Sequence, residues 1–227
     1  MKRRLVFGLA ALVALLSMGV IYAATGGDDE EMMVEISVTN LTRGQTFSPV
    51  FVVRHDRDAG PLYELGQAPS EALANLAEDG ATSAFVRELD PDNNSSVSEA
   101  RAISGLLAPG QTATTEFSIT DGNTLLSIAT MLVSTNDAFV GANALDLSKS
   151  RTVYLNVYDA GSEANSEDCA YVPGPPCGAH GARDTGGAEG YVHVHAGIHG
   201  GAGLDPAQHD WRNPGARLVI KTWTLTQ

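Results

Sequence analysis

Basic residues and cysteine are both scarce in this 227-residue chain. Lys and Arg number 14 against 27 Asp and Glu, a formal charge of -13. That balance disfavours nucleic acid and anionic lipid as partners, since both call for a positive surface. The two cysteines, Cys169 and Cys177, bracket only Ala170 to Pro176. A bridge between them stiffens a Pro/Gly-rich insertion rather than holding the fold together, and is worth on the order of 2–3 kcal/mol at most. Sequence patterns of common enzymes are missing as well: there is no G-x-S-x-G, no Walker loop, no dinucleotide fingerprint and no H-E-x-x-H. No internal repeat and no second domain is visible.

One long apolar run is present, Leu5 to Tyr22, preceded by Lys2, Arg3 and Arg4 and followed by Ala23 and Ala24. Basic start, apolar centre and small-residue end predict a signal peptide over residues 1–24, hence a secreted or periplasmic protein. The run is long enough that an uncleaved membrane anchor is the alternative. Residues 25–33 read as a flexible acidic lead-in, and 34–227 as one domain large enough for its own core. In an exported protein Cys169 and Cys177 are expected to pair as a disulfide, two free thiols being the other possibility.

Runs with β-branched and aromatic residues, each bounded by Gly, Pro, Asn, Asp or Ser, recur along the domain. They cover 34–42, 49–55, 112–120, 125–133, 151–158, 190–195 and 217–225. Seven or eight short strands predict an all-β antiparallel sandwich. A helix is expected from Ser70, a capping residue, to Glu78, ended by Gly80; a shorter one is expected over 82–89. Both are placed at the edge of the sandwich. Residues 90–99 read as an exposed loop, and Glu64, Glu71, Glu78 and Asp79 as a solvated face.

Two acidic loops follow hydrophobic runs: 134–141, with Asp137, and 158–165, with Asp159 and Glu163. Carboxylates at the ends of neighbouring strands can converge and repel, and a hard divalent cation relieves the repulsion. Gly161 lets the second loop turn tightly enough for Asp159 and Glu163 to face one ion. On the residues alone, solvated turn acids are the plainer reading.

The ordered motifs N-D-A-F-V-G (136–141), Y-D-A-G-S-E (158–163), G-Y-V-H-V-H-A-G-I-H-G (190–200) and D-W-R-N-P-G-A-R-L-V-I (210–220) resemble the spondin amino-terminal domain. The upstream stretch 38–49 fits it too. The resemblance implies a C2-like sandwich and a Ca²⁺ site with one acid from the first loop and two from the second. These map onto Asp137, Asp159 and Glu163; Glu163 departs from the family's frequent Asp and lengthens the arm. It also implies extracellular recognition of a protein or carbohydrate ligand without catalysis, with membrane contact only if the leader stays uncleaved.

His193, His195 and His199 support another expectation. The first two share one face of a strand, and a third beyond a glycine turn could complete a Zn²⁺ or Cu²⁺ site, with His209 or His55 joining. Structural histidines are the plainer reading of that pattern. The alternative function is therefore a periplasmic or secreted metalloprotein, with an enzyme among its forms; a third is an envelope protein tethered by its leader. Trp211 is expected to pack at a corner or to offer a stacking surface for sugar.

Overall fold

Why some strands alternate in polarity while others are apolar throughout follows from how many of their faces are covered. In the computed structural model, residues 31–120 and 122–225 are described; the expected leader and the lead-in up to residue 30 lie outside them. The described strands are β1 (Glu31–Asn40), β2 (Phe51–His55), β3 (Val97–Ala102), β4 (Thr112–Ile119), β5 (Leu125–Met131), β6 (Ala138–Asp146), β7 (Arg151–Leu155), β8 (Val157–Asp159), β9 (His193–Val194) and β10 (Ala216–Leu225). They form two antiparallel sheets, ordered β4-β1-β10-β7 and β3-β2-β5-β6-β8-β9. The protein is an antiparallel β-sandwich. Its first strand starts earlier than expected: Glu31, Met32 and Met33, read as lead-in, pair with Leu225, Thr224 and Trp223.

The main core lies between the sheets. Val34, Ile36 and Val38 of β1 with Leu218 and Ile220 of β10 meet Val52, Leu126, Ile128 and Val140 of the larger sheet. The smaller sheet is covered on one face only, so β4 and β10 alternate between buried and exposed positions. The larger sheet is covered on both. Its outer face carries Phe51, Val53, Ala129 and Phe139, which pack against Leu73, Leu76 and Phe85. All five residues of β2 are accordingly buried.

Those last side chains belong to α1 (Glu71–Asp79) and α2 (Ser83–Glu88). Ser70 Oγ accepts the Leu73 N–H at 3.1 Å, and Gly80 closes α1 in the left-handed region at φ 68°. The helices were expected at the edge of the sandwich; α1 instead lies on β5 and β6, the middle of the larger sheet. Phe51 and Phe85 stack there with centroids 5.1 Å apart. Burying such rings stabilises by roughly 1.5–3 kcal/mol each.

Two departures bear on the site. The loop expected over 134–141 is strand from Ala138 onward, because Ala138 to Val140 pair with β8. The single run expected over 151–158 divides at Asn156: β7 pairs with β10 in one sheet, and β8 pairs with β6 in the other. The chain changes sheets at that residue, which carries Asp159 to the side of Asp137.

Candidate metal centre

Asp159 is the last residue of β8 and lies opposite Ala138 in the ladder, so Asp137 stands beside it at one end of the larger sheet. The loop after β8 then wraps around Asp137. Asp137 Oδ2 accepts from the Ser162 N–H at 2.8 Å, the Ser162 hydroxyl at 3.2 Å and the Glu163 N–H at 2.9 Å. Such a wrap needs Gly161. Its φ is +69°, and a Cβ there would lie 2.3 Å from the Tyr191 carbonyl oxygen. Asp159 Oδ1 accepts the Gly161 N–H at 2.7 Å, and Oδ2 accepts from the Asn165 amide at 2.6 Å. Glu163 Oε1 accepts the Asp184 N–H at 2.6 Å. Asp137, Asp159 and Glu163 are all fully buried.

Buried carboxylates are costly unless a cation or proton neutralises them. Burial first, then the charge of Asp159, pushes the Asp137 carboxyl above the usual range. Asp159 is raised by burial too, against the lowering effect of its Asn165 and Gly161 donors. Glu163 is pushed up to about 8, again chiefly by burial, with Glu78 and Asp137 adding repulsion. Two oxygens in this group, Asp137 Oδ1 and Glu163 Oε2, are buried without any hydrogen-bond partner. An oxygen-only set with unsatisfied lone pairs fits a hard cation such as Ca²⁺.

Glu78 belongs to this neighbourhood and not to a solvated face. It is 4% exposed and pairs with Arg183 at 2.5 Å. Arg183 reaches it from a loop whose next residue, Asp184, holds Glu163, so the helix and both loops are joined through one cation.

The three histidines divide. His193 Nε2 lies 3.5 Å from Asp159 Oδ1, and His195 Nε2 lies 3.8 Å from Asp159 Oδ2. Burial drives His195 down to about 4, so it is neutral at pH 7. Its ring also packs on Trp211, with centroids 5.0 Å apart. Trp211 is thus a buried corner residue in the main core and no sugar platform. His199 is exposed; its backbone N–H donates to the buried Glu167 carboxylate, which also accepts from Gly200 at 2.7 Å and Gly201 at 2.9 Å. Among the described residues, the three ligand groups whose atoms come within 4.8 Å of one another are Asp159, Glu189 and His193. The acids drawn from the loops and this geometric group share Asp159 alone.

Glu189, Glu167 and Asn165 carry no signal in the sequence. No local pattern marks them, because each acquires its role through a partner from another segment. Cys169 and Cys177 form a disulfide across the insertion, as expected. Among the described residues no helix is long and apolar enough to cross a membrane.

At the opposite end of the larger sheet a cleft of about 980 Å³ is lined by His55, Asp56, Arg57, Asn143 and Asp146. His55 Nδ1 donates to the Asp56 carbonyl at 2.6 Å, so its Nε2 accepts from the Ser127 hydroxyl at 2.8 Å. Ser127 is fully buried and also accepts the Ala144 N–H at 2.9 Å, holding the bulge in the β5–β6 ladder.

Comparison with protein families finds a match to the spondin amino-terminal domain model, Spondin_N, over residues 39–171. That span runs from β1 past the second acidic loop to the disulfide insertion. No curated protein matches the chain.

Proposed function

The chain belongs to the Spondin_N family, and on that premise we propose that it is an exported, non-catalytic recognition module with loops ordered by one Ca²⁺. Asp137, Asp159 and Glu163 would hold the ion, with water and backbone carbonyls completing a shell of about six to eight oxygens. The observation that carries this reading is the pair of orphaned buried oxygens, Asp137 Oδ1 and Glu163 Oε2. When bound, the ion supplies charge neutralisation between two loops that otherwise repel.

The chain's own residues supply the frame. Ser162 and Glu163 N–H groups fix one Asp137 oxygen and leave the other free. The Asp184 N–H does the same for Glu163. The partner class is an extracellular protein or carbohydrate met by the loops at this end.

Thermal melts of wild type and Asp137→Asn, with calcium and with chelator, test the reading. Asn can keep its carbonyl oxygen on the three donors and lose only the free ligand oxygen. Calcium at a hundred times Kd stabilises the folded state by about 2.7 kcal/mol. At roughly 2–4 °C per kcal/mol for a domain this size, wild type should gain about 5–10 °C. Asp137→Asn should gain none. Equal gains in both, or none in wild type, remove calcium from these residues.

A further inference from the structure

We propose that Asp159, Glu189 and His193 form a second cation site, beside the calcium loops, for a borderline divalent transition metal of the Zn²⁺ class. Their ligand atoms lie within 4.8 Å of one another, and the donor set is one imidazole nitrogen with carboxylate oxygens. Calcium takes oxygen ligands, whereas nitrogen with carboxylate suits zinc and its neighbours.

Hydrogen bonds decide which histidine can act as a ligand. His193 Nδ1 lies 3.1 Å from the Val194 carbonyl oxygen, which can only accept. In the neutral ring Nδ1 therefore carries the proton, and Nε2 presents a lone pair. That lone pair is buried, has no hydrogen-bond partner and faces Asp159 Oδ1 at 3.5 Å. A lone pair and a carboxylate oxygen at that separation repel unless a proton or a metal cation lies between them, and a metal ion takes the place of the proton. Two ligands each ~2.1 Å from a tetrahedral ion stand ~3.4 Å apart, close to the separation here. Donation from the far ring nitrogen to a backbone carbonyl is also how metal-bound histidines are commonly oriented.

His195 behaves in the opposite way. The Gly197 N–H donates to its Nδ1 at 2.9 Å, so the proton of the neutral ring is on Nε2. Nε2 is buried without a hydrogen-bond partner, on a side chain only 2% exposed, and is aimed at Asp159 Oδ2 from 3.8 Å. His195 cannot ligate through that atom; it is a positioning residue that presents a donor to the far oxygen of Asp159. Asn165 has a similar part. Its amide nitrogen donates to Asp159 Oδ2 at 2.6 Å and to Glu189 Oε1 at 3.2 Å, holding both carboxylates together. The trio His193, His195 and His199 is thereby replaced by one histidine and two acids. Glu189 and part of His193 are open to solvent, so a water can fill a remaining position.

Asp159 is common to this site and the calcium site, but His193 and Glu189 belong to this one alone, so it stands whether or not calcium binds at Asp137 and Glu163. Its test is calorimetric titration of the chelator-treated full chain with Zn²⁺, and with Co²⁺ followed by visible absorption. Wild type, His193→Ala, Glu189→Gln and Asp137→Asn are compared, each with its melting curve in chelator as the check on folding. Wild type should take one equivalent. His193→Ala and Glu189→Gln should bind at least tenfold more weakly and lose the Co²⁺ spectrum, while keeping the calcium-induced melting shift. Asp137→Asn should keep the Zn²⁺ site. Zn²⁺ affinity unchanged in His193→Ala would assign the metal to the exposed histidines and overturn the proposal, as would failure of wild type to bind. Loss of the calcium shift in wild type with Zn²⁺ binding retained would overturn the calcium reading alone.

Discussion

Raising the pH of calcium-free protein from 6.5 to 8 should destabilise it, and calcium should abolish the loss. Glu163 has its carboxyl raised from 4.5 to about 8 in the fold. Above pH 4.5 the unfolded chain releases this proton while the folded chain keeps it, so rising pH favours unfolding until about pH 8. His195 works the other way below neutrality. Its imidazole is lowered from 6.5 to about 4, so folding expels a proton there and stability rises with pH up to 6.5. The two effects oppose each other between pH 4.5 and 6.5. Above 6.5 only the carboxylate effect remains. Across that last interval of 1.5 pH units, Glu163 alone accounts for about 2 kcal/mol, and Asp137, raised for the same reason, acts in the same direction. Urea unfolding in chelator should therefore show stability falling by about 2 kcal/mol between pH 6.5 and 8. With saturating calcium the ligands are already ionised, and the fall should vanish. A stability that is flat or rising from pH 6.5 to 8 in chelator would refute the electrostatic reasoning.

Arg183→Ala should cost about 1.5–3 kcal/mol in urea unfolding, because it leaves Glu78 buried without its charged partner; an unchanged midpoint would make the pair idle. Gly161→Ala should lose about 1–3 kcal/mol from the positive φ alone, and its clash with Tyr191 should weaken calcium binding at the same time. Replacing Cys169 and Cys177 by serine should lower stability by about 2–3 kcal/mol or less, with wild type showing no thiol open to alkylation until it is reduced.

The helix α1 was legible because both its signals are local: Ser70 caps it and Gly80 ends it within one short segment. Strand β10 was legible because one wet face imposes alternation. Strand β6 is obscured by Gly141, Ala142, Asn143 and Ala144, which have little intrinsic preference for strand; Gly141 and Ala142 are held there by pairing with Ala129 and Ile128 of β5. Strand β3 was read partly as loop because Ser98, Glu99 and Arg101 suit an edge strand exposed to water. In the site, Asp137 and Asp159 could be placed together from strand ends and family resemblance. The burial of Glu78 could not, since its partner Arg183 comes from a loop far along the chain. Glu189 escaped notice for the same reason: only the folded loop before β9 brings it to Asp159. The difference between His193 and His195 depends on which backbone group each Nδ1 meets, and sequence spacing treats the two alike.

Calcium titration of the chelator-treated protein by calorimetry, in wild type and Asp137→Asn at pH 8, tests the central claim most directly. One equivalent bound by wild type and none by Asp137→Asn is the predicted result. Equal binding by both, or no calcium taken up by wild type, would contradict a site built on the free oxygen of Asp137.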